Sequence, residues 1–267
     1  MMSETYDYLA INKALWNLKT PNHINSEFYN QAAFLEGKSS LNEVELNLLG
    51  DIQGKEILHL QCHFGQDSLS MARLGAQVTG IDLADEAIQY ANSLAKELQL
   101  NAQFVCDDVY NTYNILQKQF DVVFASYGTI GWLPDLKPWA KMISQSLKAG
   151  GKLVFVEFHP IIWMFDNEFK QFQYSYFNKE TIVDEEEGTY ADREASINAK
   201  AVSWNHPLTD VIQALLSNGL QIDSFQEFDS SPYNCFLNTV EIEPGKFQIR
   251  GLEGKIPMVY AITASKK

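Results

Sequence analysis

Between residues 56 and 157, five short apolar runs alternate with segments of helical periodicity. The runs are Glu56–Leu60, Gln77–Ile81, Ala102–Cys106, Phe120–Ala125 and Lys152–Glu157. Between them the spacing predicts helices over Asp67–Leu74, closed by Gly75, over Asp85–Leu98, and over Leu136–Leu147. Gly150-Gly151 would end that last helix in the left-handed conformation that glycine allows. Strands that are continuously apolar are buried on both faces. When they alternate with helices, they belong to a parallel sheet covered on both sides.

The pattern changes after Phe158. Residues 159–207 are rich in aromatics, carry the acidic run Asp184–Glu187, and read as an insertion. Helical spacing resumes at Leu208–Leu216 and stops at Asn218-Gly219. Two last strands follow, at about 220–228 and 258–264. With no helical pattern between them, they should pair antiparallel. Upstream, residues 1–50 read as helices with polar connections; Leu46 and Leu49 are the expected core positions of the last one, and Asp51–Lys55 is a turn. The expectation is an α/β fold built on a doubly wound, mostly parallel, seven-stranded sheet with an antiparallel last strand. Its parts would be N-terminal helices over 1–50, a core over 51–158, an inserted cap over 159–207, and a completion of the sheet over 208–267.

Charge narrows the function classes. Thirty-four acidic residues against 20 basic ones leave a net charge of −14 and no basic run. That argues against nucleic acid or an anionic membrane surface as partner. Cys62, Cys106 and Cys235 are far apart and odd in number, so neither a disulfide framework nor zinc-type spacing is present. Met1–Ala10 has neither the basic start nor the apolar run of a signal peptide, and no apolar stretch reaches membrane-spanning length. A soluble, cytoplasmic protein, monomer or homodimer, acting on a small molecule and holding no metal, is expected.

The chemistry concentrates at strand ends. In doubly wound sheets, ligands bind beyond the carboxyl ends of the strands. The first strand runs into Gln61-Cys62-His63-Phe64-Gly65; Gly65 lacks a side chain that would hold off a nucleotide-like ligand. Asp82 ends the second strand, where a carboxylate can accept from both ribose hydroxyls. Asp107-Asp108 end the third, within reach of an adenine amino group. Taken alone, a glycine there is a turn and an aspartate a helix cap; the ordered set is what carries information.

With those residues in order, the chain resembles the class I S-adenosylmethionine (SAM)-dependent methyltransferases. The likeness is strong over about 50–160 and moderate over the last two strands. Of the family's acidic-x-Gly-x-Gly-x-Gly motif only Gly65 remains, in a stretch that resembles a subgroup with the loop Leu-Gln-Cys-His-x-Gly, matched through Leu74-Gly75-Ala76. The resemblance implies SAM as cofactor and S-adenosyl-L-homocysteine as product. It implies contacts from Leu60, Gln61, Cys62, His63 and Gly65. Asp82 would hold the ribose, Leu83 would flank the adenine, and Asp108-Val109 would meet its amino group. Ser126 and Tyr127 would lie where the family closes over the methionine. His59 stands at the acid's position and cannot copy a carboxylate. Gln61 and His63 are expected to avoid glycine-only conformations, so the loop would be built differently or the cofactor displaced. His59 or His63 either meets the methionine carboxylate or only completes the loop's hydrogen bonds.

Methyl transfer needs alignment and exclusion of water, with a general base only for a protonated acceptor. Acceptor-side candidates are Trp16, His23, Tyr29 and Trp132, with His159 and His206 as possible bases. Two other readings compete: a non-catalytic protein keeping the methyltransferase fold, and an NAD(P)-dependent oxidoreductase, which would want Gly-x-Gly-x-x-Gly after the first strand.

Overall fold

The computed structural model describes residues 6–267; Met1–Thr5, the start of the segment read above for a signal peptide, lie outside the described residues. Three helices come first: α1 (Tyr8–Asn25), α2 (Gln31–Leu35) and α3 (Glu43–Leu49). The alternation follows as β1 (Glu56–Leu60), α4 (Gln66–Arg73), β2 (Gln77–Asp82), α5 (Asp85–Glu97), β3 (Ala102–Cys106), α6 (Thr112–Leu116), β4 (Phe120–Ser126), α7 (Leu136–Ser146) and β5 (Leu147–Phe158). The insertion holds a hairpin, β6 (Ile182–Glu187) and β7 (Asn198–Ser203). The chain ends with α8 (Leu208–Ser217), β8 (Leu220–Phe228), the hairpin β9 (Thr239–Glu243) and β10 (Lys246–Ile249), and β11 (Val259–Lys266).

Seven strands form the central sheet in the order β3-β2-β1-β4-β5-β11-β8. β1 through β5 pair parallel, and β11 runs antiparallel between β5 and β8. Strand order reverses at β1/β4, which opens the binding crevice between their carboxyl ends. Alternate residues of β1 explain the two-sided core: Ile57 packs with Leu49 and Met71, while Leu58 and Leu60 pack with Trp139, Ile143 and Leu215. α3, α4 and α5 thus cover one face; α6, α7 and α8 cover the other.

Two local expectations need correction. The helix α7 stops at Ser146, and Gly150-Gly151 lie inside β5. There the register jumps from Phe120↔Leu147 to Val122↔Lys152, so the intervening residues bulge, with Gly150 at φ +74°. A bulge demands a left-handed residue as a helix end does, and the two cannot be told apart by a glycine pair alone. Of the two α3 positions expected in the core, Leu49 is buried and Leu46 is exposed.

α1 and the β6–β7 hairpin pack together through an unusual joint. Asn12 on α1 donates from Nδ2 to the Val202 carbonyl at 2.8 Å and accepts from the Val202 N–H at 3.0 Å, so its amide acts as one residue of a neighbouring strand. Trp204 N–H donates to Gly131 O at 2.8 Å, fastening the end of the hairpin to the loop after β4.

Candidate functional site

The carboxyl ends of β1, β2, β3 and β4 open into one cavity of about 1200 Å³, roofed by α1 and the β6–β7 hairpin. The loop from β1 to α4 forms its floor. Gln61, His63 and Gly65 all have positive φ, at +51°, +50° and +86°. The expectation that Gln61 and His63 avoid glycine's conformations is therefore overturned: the backbone follows a glycine-type path with two non-glycine residues on it. Such conformations cost on the order of 1–3 kcal/mol each and persist where surroundings impose them. Here the surroundings do so. Gln61 Nε2 donates to Thr129 O at 2.8 Å, the His63 N–H donates to Asp82 Oδ2 at 2.8 Å, and Cys62 N–H donates to Ile81 O at 3.0 Å.

Gly65 survives at the third position for a further reason. A Cβ there would lie 2.7 Å from the Phe104 ring and 3.0 Å from Ala91 Cβ, so any side chain would strike the packing of α5 on β3. The glycine therefore leaves room for the Phe104 ring and Ala91 as well as standing on the cavity wall. At positions 61 and 63 only φ is demanding; at 65 both φ and space are.

Asp82 also accepts from Ala84 N–H through Oδ1 at 2.9 Å, and its carboxylate lines the cavity. Burial raises its pKa, against the pull of those backbone donors. Asp108 lines the cavity too, while its Oδ1 caps the turn at Tyr110 N–H (3.1 Å). Cys62, Leu83, Val109, Ser126 and Tyr127 are on the wall; Leu60 is not, because it points into the α7-side core.

His59, at the motif's acid position, is buried; its Nδ1 lies 2.7 Å from Ser68 Oγ and its ring packs on Phe124. Burial drives its pKa down to about 3, so it is neutral. His63 Nε2 lies 2.8 Å from His23 Nδ1. Burial, and secondarily the Lys19 ammonium, holds His23 at about 3; burial also pushes His63 well below the usual histidine range. One imidazole of this neutral pair donates and the other accepts. Both loop histidines thus engage protein partners.

On the acceptor side, Trp16, Tyr29 and Trp132 line the cavity. His23 does not: it is fully buried behind His63 and stacks on Tyr29, whose hydroxyl lies 2.5 Å from that of Tyr190. The Lys19 ammonium sits 5.0 Å from the Trp16 ring and 5.8 Å from Trp132, ion-paired with Glu186. The protein's own cation thereby occupies this aromatic corner.

The two candidate bases separate. His159 is off the cavity wall: its Nδ1 accepts from Ile161 N–H (3.2 Å) and its Nε2 lies 3.1 Å from Glu227. His206 is on the wall, with Nε2–H donating to Leu133 O at 2.7 Å, which leaves Nδ1 as its basic nitrogen.

Several residues escaped the sequence reading. Glu157, buried at the end of β5, accepts from the N–H groups of Gly128, Thr129 (2.7 Å), Ile130 (3.2 Å) and Phe158 (2.7 Å), and from the Thr129 hydroxyl (3.0 Å). This carboxylate shapes the loop after β4; its only signal in sequence was a charge ending an apolar strand. Asp67, in the first turn of α4, reaches the cavity beside Ser40 and Ser126. Glu45, Tyr127 and Tyr233 gather nearby, with Asn42 Nδ2 donating to the Tyr233 hydroxyl at 2.8 Å and burial raising Glu45 to about 7. These come from distant segments, and local spacing could not join them. Among the described residues, no cluster of His, Cys, Asp or Glu could hold a metal ion, and no helix is long and apolar enough to cross a membrane.

A reversed, mostly parallel sheet with an antiparallel seventh strand is the fold of the class I methyltransferases. The comparisons agree. Residues 57–151 match the family model described as a methyltransferase domain. Among curated proteins, the ubiquinone biosynthesis O-methyltransferase of Coxiella burnetii (strain RSA 493 / Nine Mile phase I) is 30% identical over 135 residues, 48% of this chain and 56% of that protein. That of Idiomarina loihiensis is 34% identical over 102 residues, 38% and 42% respectively. The chain thus spans about half the length of the curated relatives it matches. Of solved structures, an S-adenosylmethionine-dependent methyltransferase from Clostridium acetobutylicum ATCC 824 superposes with TM-score 0.58 at 14% identity, covering 96% of this chain and 99% of that one. The DhpI–SAH complex gives 0.58 at 15%, covering 98% of both. The fold is thus that of the SAM-dependent methyltransferases, and residues 57–151 match a methyltransferase domain.

Proposed function

We propose that the protein binds SAM in the cavity above β1–β4 and transfers its methyl group to a small-molecule acceptor. The observation that carries this reading is the left-handed sequence of Gln61, His63 and Gly65, hydrogen-bonded to Asp82. It gives positive φ at the three positions where the family's motif has glycines, of which only Gly65 is one here. The nearby residues fit the cofactor: Asp82 ends β2, Asp108 follows β3, and Gln61 Oε1 and His63 Nδ1 are buried without a close partner. The relatives named for ubiquinone biosynthesis and the SAM- and SAH-named structures support the same reading.

When bound, SAM supplies an electrophilic methyl on a sulfonium. The chain's part is to hold and shield. Asp82 orients the ribose side, and Asp108, Leu83 and Val109 the adenine side. Residues 128–130, gripped by Glu157, form the wall toward the acceptor. α1 and the 159–207 segment act as a lid that excludes water, with Trp16, Tyr29 and Trp132 on its inner surface. If the acceptor loses a proton, His206 Nδ1 is the base on the wall. The acidic balance favours neither nucleic acid nor anionic membrane as substrate, and a cytoplasmic monomer or homodimer fits the composition.

Thermal shift and calorimetry with SAM and S-adenosyl-L-homocysteine test the proposal, since a ligand of the native state raises the melting temperature. Stabilisation by both is expected. Stabilisation by neither would leave a non-catalytic protein of methyltransferase fold, and stabilisation by NADH alone an oxidoreductase.

A further inference from the structure

His59 leaves one task of the cofactor site without an owner. It lines the cavity, but it is neutral and its Nδ1 is engaged by Ser68, so it brings no negative charge to balance a cation there. The other carboxylates at the strand ends are committed. Glu157 takes five donors from its own loop. Asp82 holds one backbone N–H on each oxygen.

Sheet order gives a direction. An adenosyl group lying over the ends of β3 and β2, at Asp108 and Asp82, sends its sulfonium and amino-acid tail across β1 toward β4. From β3 to β4 is three strand spacings, about 14 Å. At that far end stand Ser126, which closes β4, and Asp67, from the first turn of α4. Asp67 Oδ1 accepts from the Ser40 hydroxyl at 2.6 Å, whereas Oδ2 has only the Ser126 hydroxyl at 3.5 Å. Asp67 lines the cavity, and an ionised carboxylate with one oxygen on a single long hydrogen bond has capacity left for a cationic donor. The two hydroxyls favour the ionised form, against the effect of burial.

We propose that Asp67 is the residue that binds the α-ammonium of SAM's methionine moiety, taking over by way of α4 the charge that the first strand lacks. This rests on the SAM-binding reading above. It makes Asp67 a determinant of selectivity between adenosyl ligands with and without an amino group.

The test is calorimetric titration of the wild-type chain and Asp67→Asn with three ligands. These are SAM, decarboxylated SAM, which keeps an ammonium but no carboxylate, and 5′-methylthioadenosine, which has neither. Asp67→Asn is expected to bind SAM and decarboxylated SAM at least tenfold more weakly, and methylthioadenosine within twofold of wild type. The last value also shows that the variant is folded. Unchanged SAM affinity would overturn the assignment. So would an equal loss for all three ligands, or a loss for SAM alone. Failure of the wild type to bind any of the three would instead sink the SAM reading, and the assignment with it.

Discussion

The main-chain N–H of His63 donates to Oδ2 of Asp82 across 2.8 Å, joining the left-handed turn after β1 to the carboxylate that ends β2. A second bond, from Ala84 N–H to Oδ1, fixes the carboxylate's plane. One side chain therefore braces the loop between β1 and α4 and stands on the cavity wall. Replacing it with asparagine sets an NH2 against one of the two N–H donors. Asp82→Asn should weaken SAM binding at least tenfold by calorimetry and lower Tm without ligand. A variant that lost affinity with an unchanged Tm would show that the brace contributes nothing.

The three left-handed positions should respond differently to substitution. At Gly65 a methyl group meets Phe104 and Ala91 at 3.0 Å or less. Overpacking together with the φ penalty should make Gly65→Ala destabilising by about 3 kcal/mol in urea denaturation. At His63 a glycine relieves backbone strain but removes the contact to His23. His63→Gly should therefore change stability by less than about 1.5 kcal/mol. Equal costs at both positions would refute the division between space and φ.

That division shows what the sequence could and could not reveal. The parallel strands were legible because burial on both faces writes itself as uninterrupted apolar runs. The positions of Asp82 at the end of β2 and of Asp108 just beyond β3 were legible because strand ends are predictable once strands are. The conformation of Gln61 and His63 was not, since residue type argues against it; the bonds that impose it come from Thr129, Asp82 and His23, far along the chain. Asp67 and Glu157 were overlooked for the same reason. A carboxylate in a helix's first turn, or at the end of a strand, looks like ordinary capping until the loop it faces is known. His159 misled in the opposite way: proximity to the fifth strand's end suggested the cavity, but the side chain turns to Glu227.

Glu157 offers a test of how the loop after β4 is held. Its oxygens take four backbone N–H groups and one hydroxyl. In Glu157→Gln one oxygen becomes a donor facing other donors. Stability should fall by about 3 kcal/mol, the scale for charge-assisted bonds lost in a buried site. Amide exchange should rise at Gly128, Thr129 and Ile130 well before the rest of the sheet. Uniform exchange across β4 and β5 would mean that the carboxylate supports the fold globally and not this loop.

Four buried groups contribute to the dependence of stability on pH in a way that can be tested. His23 and His59 are held at about 3 and His63 well below its ordinary value, so the unfolded chain binds protons that the folded chain refuses. Their contribution is complete above about pH 6.5 and is lost as pH falls toward 3. At up to about 1.4 kcal/mol per pH unit and group, acidification from pH 6 to 5 should remove on the order of 3 kcal/mol. Glu45 works in the other direction. Raised to about 7 by burial, it holds a proton in the folded state that the unfolded chain releases, so its contribution is present below its ordinary 4.5 and is lost as pH rises through 7. Glu45→Gln keeps an acceptor for the Asn42 N–H, which now bonds a carboxyl oxygen, and has no charge to bury. Relative to wild type it should gain stability steadily from pH 5 to pH 8, by up to about 3 kcal/mol, when urea midpoints are compared across that range. Parallel curves for the two proteins would show that Glu45 is already ionised in its buried position.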